Sequence, residues 1–132
     1  MWLSTQHGFY SIVQKPAGQI ADPRPNNRPA DPESSNEPVF HVRTRCKMDL
    51  ENIVVLADLD TTIHHTATGD YAWRIVVGQQ EVDTIMSVLA NSIDYSNFKD
   101  RIHELPEQVG KLPAYSQLWS RMMDYQSTEE LA

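Results

Sequence analysis

The sequence has 132 residues, 11 lysines and arginines against 18 aspartates and glutamates, a net charge of −7 and a single cysteine, Cys46. That length is enough to bury one core, and the acidic balance argues against a general affinity for nucleic acid or anionic membranes. One cysteine excludes an internal disulfide and a cysteine-cluster zinc site. No run reaches the roughly 18 apolar residues of a membrane span. The first fifteen residues lack the basic and apolar regions of a signal peptide, so cytoplasmic residence is the expectation.

In chain order, Gly8 to Gln14 alternates as a strand, with Phe9, Ser11 and Val13 on one face and Tyr10 and Ile12 on the other. Residues 16–38 hold six of the eight prolines and almost no apolar side chains. Such a segment buries too little to repay its ordering entropy, and it reads as a flexible insertion. Phe40 to Cys46 alternates again, with Phe40, Val42, Thr44 and Cys46 on one face and His41, Arg43 and Arg45 on the other. This strand is expected to pair with the first. Lys47 to about Leu56 reads as a helix carrying Leu50, Ile53 and Val54, its end blurred by the β-branched run. Thr61 to Ala67 is a short polar strand, folded back by Thr68-Gly69-Asp70 onto the next one.

The organising stretch runs from Gly69 to Lys99. Tyr71, Trp73, Ile75 and Val77 point one way and Ala72, Arg74 and Val76 the other. After Gly78 the period changes, and Val82, Ile85, Met86, Leu89 and Ile93 form the stripe of an amphipathic helix. Ser96 is expected to cap a short helix with Phe98, Ile102 and Leu105, ended by Pro106 and Gly110. Pro113 then suits the first turn of a last helix with a buried stripe of Tyr115, Leu118, Trp119 and Met122. Residues 127–132 are expected to fray. The order predicts an α+β two-layer sandwich, an antiparallel sheet with helices on one face, and more specifically a permuted ferredoxin-like arrangement. Residues 1–126 read as one domain.

With Phe40, Val42 and Thr44 turned to the core, His41, Arg43 and Arg45 project together on the opposite face. Arg74 joins them from another strand, with Tyr10 expected nearby. Guanidinium groups gathered in this way suit bidentate contact with phosphate, carboxylate or an acidic partner surface. The competing explanation is a structural network in which these arginines pair with acidic residues of neighbouring elements. Lys99, with Asp94, Tyr95 and Phe98, reads either as part of the binding set or as a structural corner.

Enzymatic patterns are weaker. His64-His65-Thr66 has the form of a two-histidine phosphoesterase triplet but lacks a second triplet, since His41-Val42-Arg43 does not supply one. Adjacent strand histidines face opposite ways and cannot share a metal. Asp58, Asp60, His64 and His65 match no standard ligand spacing. Ser11 and Cys46 have no base beside them, and Cys46 is expected as a small buried hydrophobe. No metal or cofactor is implied.

The segments MWLSTQHGFYSIVQK, FHVRTRCKMDLENI, DYAWRIVV, IDYSNFKD and YSQLWSRMMDYQ together resemble a family of short uncharacterised bacterial and phage proteins. Members share a GFFS-type strand, V-R-x-R, Y-x-Y/W-R and D-Y-x-N-F-K. The matching positions here are Arg43, Arg45, Tyr71, Trp73, Arg74, Asp94, Tyr95, Asn97, Phe98 and Lys99. The resemblance covers nearly all of the chain except the proline-rich segment, which it implies is dispensable, and it carries no activity. The sequence therefore reads as a non-catalytic binding or interaction module, with His41, Arg43, Arg45, Arg74 and Lys99 holding an anionic ligand or partner. Homodimerisation through the sheet face or an edge strand is a further expectation. The alternative is a small hydrolase of a phosphorylated substrate, with His41 or His64 as acid and base. Nucleic-acid binding on an open sheet is disfavoured, because alternation puts Tyr71 and Trp73 on the other face.

Overall fold

A computed structural model describes residues 1–15 and 38–131. The expectations for the proline-rich segment fall almost wholly outside them. The chain divides into two compact units, Met1–Asp94 and Tyr95–Ala132. The fold is α+β.

The first unit holds a five-stranded sheet: β1 (Trp2–Thr5), β2 (Gly8–Lys15), β3 (Val39–Thr44), β4 (His64–His65) and β5 (Trp73–Val77). Its order is β1-β2-β3-β5-β4, and every pairing is antiparallel. Two helices, α1 (Lys47–Leu56) and α2 (Gln79–Asn91), pack on the same face of this sheet. There Tyr10, Ile12, Val42, Ile75 and Val77 from the strands meet Leu50 and Ile53 of α1 and Val82, Ile85 and Leu89 of α2. This is one apolar core built from period-two and helical stripes together.

The join between β2 and α1 is made by close approach. A Cβ on Gly8 would fall 2.5 Å from Asp49 Cβ, so only glycine fits there. The closeness lets the buried Asp49 carboxylate accept the Phe9 amide at 3.1 Å, while the Tyr10 hydroxyl donates to the Asp49 carbonyl at 2.7 Å. Tyr10 is thus a core residue and does not stand beside the arginines, contrary to the expectation from sequence. Asp58 closes the end of α1 with a φ of 51°, a left-handed conformation that aspartate tolerates better than most residues.

Several boundaries differ from the sequence reading. β1 was not foreseen; Thr5 Oγ1 takes the amides of His7 and Gly8, both at 3.1 Å, and so pins the turn into β2. The expected strand from Thr61 to Ala67 contracts to His64–His65, although its hairpin with β5 forms. Ile93 lies beyond α2 and is exposed. Cys46 is exposed rather than buried, standing at the N-terminal cap of α1.

The second unit holds α3 (Phe98–Glu104), a 3-10 turn at Val109–Lys111 and α4 (Leu112–Leu131). Asn97, not Ser96, caps α3, its Oδ1 accepting the Asp100 amide at 3.0 Å. Phe98 meets Tyr115 edge-on at 4.9 Å and Tyr95 at 6.1 Å, and Ile102 is fully buried. The helix continues through Leu131 where fraying was expected. Of the stripe predicted to be buried on α4, only Tyr115 is; Leu118, Trp119 and Met122 are exposed. Periodicity marks an apolar face but does not say that anything covers it.

Candidate anion-binding face

On the face opposite α1 and α2, the registers of four strand pairs line up one row across the sheet. Trp2 pairs with Ser11, Ser11 with Arg43, Arg43 with Arg74, and Arg74 with His64. Neighbouring strands lie about 4.8 Å apart, so two guanidinium-bearing residues stand side by side at the centre of this row. His41 belongs to the same face, one pleat along β3, opposite Val76.

Each arginine has a defined grip. Arg43 Nη2 donates to Ser11 Oγ at 2.7 Å, and its guanidinium lies 4.6 Å over the Tyr71 ring. Arg45 covers the same ring at 4.4 Å and donates from Nη1 to the Asp70 carbonyl at 2.6 Å. Arg74 Nη1 stands 3.5 Å from His41 Nδ1. Tyr71 is therefore held between two guanidinium groups on the arginine face. Alternation from β5 had assigned it to the helix face, but β5 begins only at Trp73 and the bend through Asp70 and Tyr71 breaks the period.

The electrostatics of the cluster are unbalanced. Among the described residues no ion pair involves Arg43, Arg45 or Arg74; their partners are a hydroxyl, a carbonyl, an imidazole and an aromatic ring. A structural network of acidic partners thus has no carboxylate paired with these three arginines among the described residues. Moreover the Nε atoms of Arg43 and Arg74 are sealed from solvent with no hydrogen-bond partner. A buried donor left in that state costs about 1–3 kcal/mol. The surroundings are closed rather than flat: Ser11 is 1% exposed, His41 3% and Tyr71 4%.

Of the sequence-derived set, His41, Arg43, Arg45 and Arg74 fall in this cluster. Lys99 belongs to the second unit, where its ammonium lies 4.8 Å over the Trp119 ring. Sequence reasoning missed Ser11 and Tyr71 as members. Alternation put Ser11 on the correct side, but only the β2–β3 register sets it against Arg43. His64 and His65 point to opposite faces as expected for neighbours on a strand; His65 stacks on Trp73 at 4.0 Å. No group of three or more potential metal ligands is found among the described residues, and no described helix is long and apolar enough to cross a membrane.

The first unit is thus a small antiparallel sheet, backed by two helices, with a partly buried pair of arginines on its other face that no carboxylate among the described residues pairs with. Compared with known proteins, the chain matches no family model, no curated relative and no solved structure.

Proposed function

We propose that this chain is a binding module whose Arg43–Arg74 pair takes a small anion, and that the favoured ligand carries two negative charges, as inorganic phosphate or a phosphate monoester does. The observation that carries the reading is the pair of solvent-sealed Nε donors on adjacent arginines that have no carboxylate partner among the described residues. Two neighbouring guanidinium groups are neutralised by a dianion, and a tetrahedral oxyanion offers each an acceptor. The burial of Ser11, His41 and Tyr71 favours a compact ligand over the open stacking platform that single-stranded nucleic acid needs. Arg45 and Tyr71 then act as the support that fixes Arg43. Lys99 drops out of the set on which the reading rests.

The test is calorimetric titration of the full chain with inorganic phosphate at constant ionic strength. Saturable heat in the wild type, lost in both Arg43→Gln and Arg74→Gln, is the expected result. No heat in the wild type, or heat unchanged in both variants, overturns the reading.

The alternative, hydrolysis of a phosphorylated substrate, draws on the imidazole of His41 beside Arg74. The site's visible pairing is guanidinium to neutral acceptor, not nucleophile to base, so binding stands first. Turnover of a generic phosphate monoester, abolished by His41→Gln while phosphate binding persists, would reverse that order.

A further inference from the structure

The second unit carries an apolar face that its own residues leave uncovered. Tyr115, at the start of α4, packs on Phe98, but α3 is only seven residues long and α4 is twenty. Beyond Tyr115 the same stripe continues in the open: Leu118 is 44% exposed, Trp119 55%, Met122 57%, Met123 41% and Tyr125 58%. Leu118, Met122 and Tyr125 follow the three-and-four spacing of a helix–helix seam, with Trp119 and Met123 alongside. Together they expose on the order of 500 Å², at the upper end of what a monomer leaves bare. With the flanking polar side chains this approaches the roughly 800 Å² per partner of a standard interface.

We propose that α4 pairs antiparallel with α4 of a second copy of this chain. Charge selects the occupant and the direction. The α4 side chains from Asp124 onward carry only acidic charge, on Asp124, Glu129 and Glu130, whereas the basic residues of this region, Lys111 and Arg121, lie before it. A parallel pair sets Glu129 against Glu129 and Glu130 against Glu130. An antiparallel register that seats Leu118 against the other copy's Met122 instead brings Glu129 toward the other copy's Lys111. Near the dyad, Arg121 is balanced by Asp124 of its own helix at 3.8 Å. Trp119, one face of which is covered by Lys99, offers its other face to the seam.

The experiment is sedimentation velocity of the full chain over a wide concentration range, with circular dichroism to confirm folding of each variant. The wild type is expected to dimerise reversibly, and Trp119→Glu and Met122→Glu each to weaken the dimer by about 30-fold or more. Direction is read by cross-linking with a short bis-maleimide in a Cys46→Ser background, since Cys46 is exposed. Met122→Cys is expected to cross-link, its two copies being displaced by about 6 Å along the axis. Tyr125→Cys is expected not to, its copies being about 15 Å apart along the axis. A wild type that stays monomeric, a dimer insensitive to both glutamate variants, or efficient cross-linking at position 125 each overturns the proposal. So does a monomer that co-sediments with phosphatidylcholine–phosphatidylserine vesicles, which would assign the face to a lipid surface.

Discussion

Replacing Arg74 by methionine distinguishes a ligand-binding arginine pair from a structural one, because the two predict opposite signs. Arg43 and Arg74 are directly paired across β3 and β5, and among the described residues neither has a carboxylate partner. Two unit charges about 6 Å apart at an effective dielectric of about 20 repel by about 3 kcal/mol. Arg74→Met removes that repulsion and one of the two sealed Nε donors. It forfeits the contact with His41, 3.5 Å long, which as a weak hydrogen bond is worth about 1 kcal/mol at most. Methionine keeps most of the aliphatic packing. Arg43 and Arg74 are only partly buried, so solvent screening leaves little of that repulsion, and the balance is a gain of about 1–2 kcal/mol in phosphate-free buffer, or roughly 4–8 °C in thermal midpoint for a chain of this size.

Phosphate should then invert the ranking. At a concentration one hundred times its dissociation constant, a ligand stabilises the wild type by about 2.7 kcal/mol, while the variant gains only the non-specific effect of a kosmotropic salt. Differential scanning fluorimetry across a phosphate series, with sodium chloride at matched ionic strength, reads both terms. A variant less stable than the wild type without phosphate, with an equal response to added phosphate, would refute the reasoning and return Arg74 to a structural role.

Three further outcomes follow from the packing. Gly8→Ala places a methyl 2.5 Å from Asp49 Cβ and should lower the unfolding free energy in urea by about 1–3 kcal/mol. Asp49→Ala removes the carboxylate that accepts the Phe9 amide and should cost about 1–3 kcal/mol in the same assay. Ile85→Ala, in the core, should cost about 2–5 kcal/mol, whereas Val55→Ala on the solvent side of α1 should stay within about 0.5 kcal/mol.

The sheet and its two helices were legible because each buries one face, and burial writes itself into a sequence as period. Ile12, Val42, Ile75 and Val77 alternate with polar or smaller neighbours, and Val82, Ile85 and Leu89 recur at helical spacing. Features that rest on a single contact left no such trace. β1 is four residues on an exposed edge, too short to show alternation. The role of Asn97 at the α3 cap depends on one hydrogen bond that Ser96 was equally equipped to make. Tyr71 was misassigned because alternation holds only inside a strand, and the strand starts two residues later.

The arginine cluster was half legible for the same reason. Alternation puts His41, Arg43 and Arg74 on one side, but the sequence contains 18 acidic residues, any of which was available to neutralise them. Only the fold shows what the guanidinium groups hold instead: Ser11, the Tyr71 ring and the Asp70 carbonyl. Neutral partners orient a guanidinium without discharging it. In an acidic chain, where carboxylates are plentiful, keeping three oriented positive charges together with no carboxylate paired to them among the described residues is a cost to stability. Such a cost is ordinarily retained where the charge has a use outside the fold. Orientation by uncharged groups also leaves the charge whole for an incoming anion, which a preformed salt bridge would not.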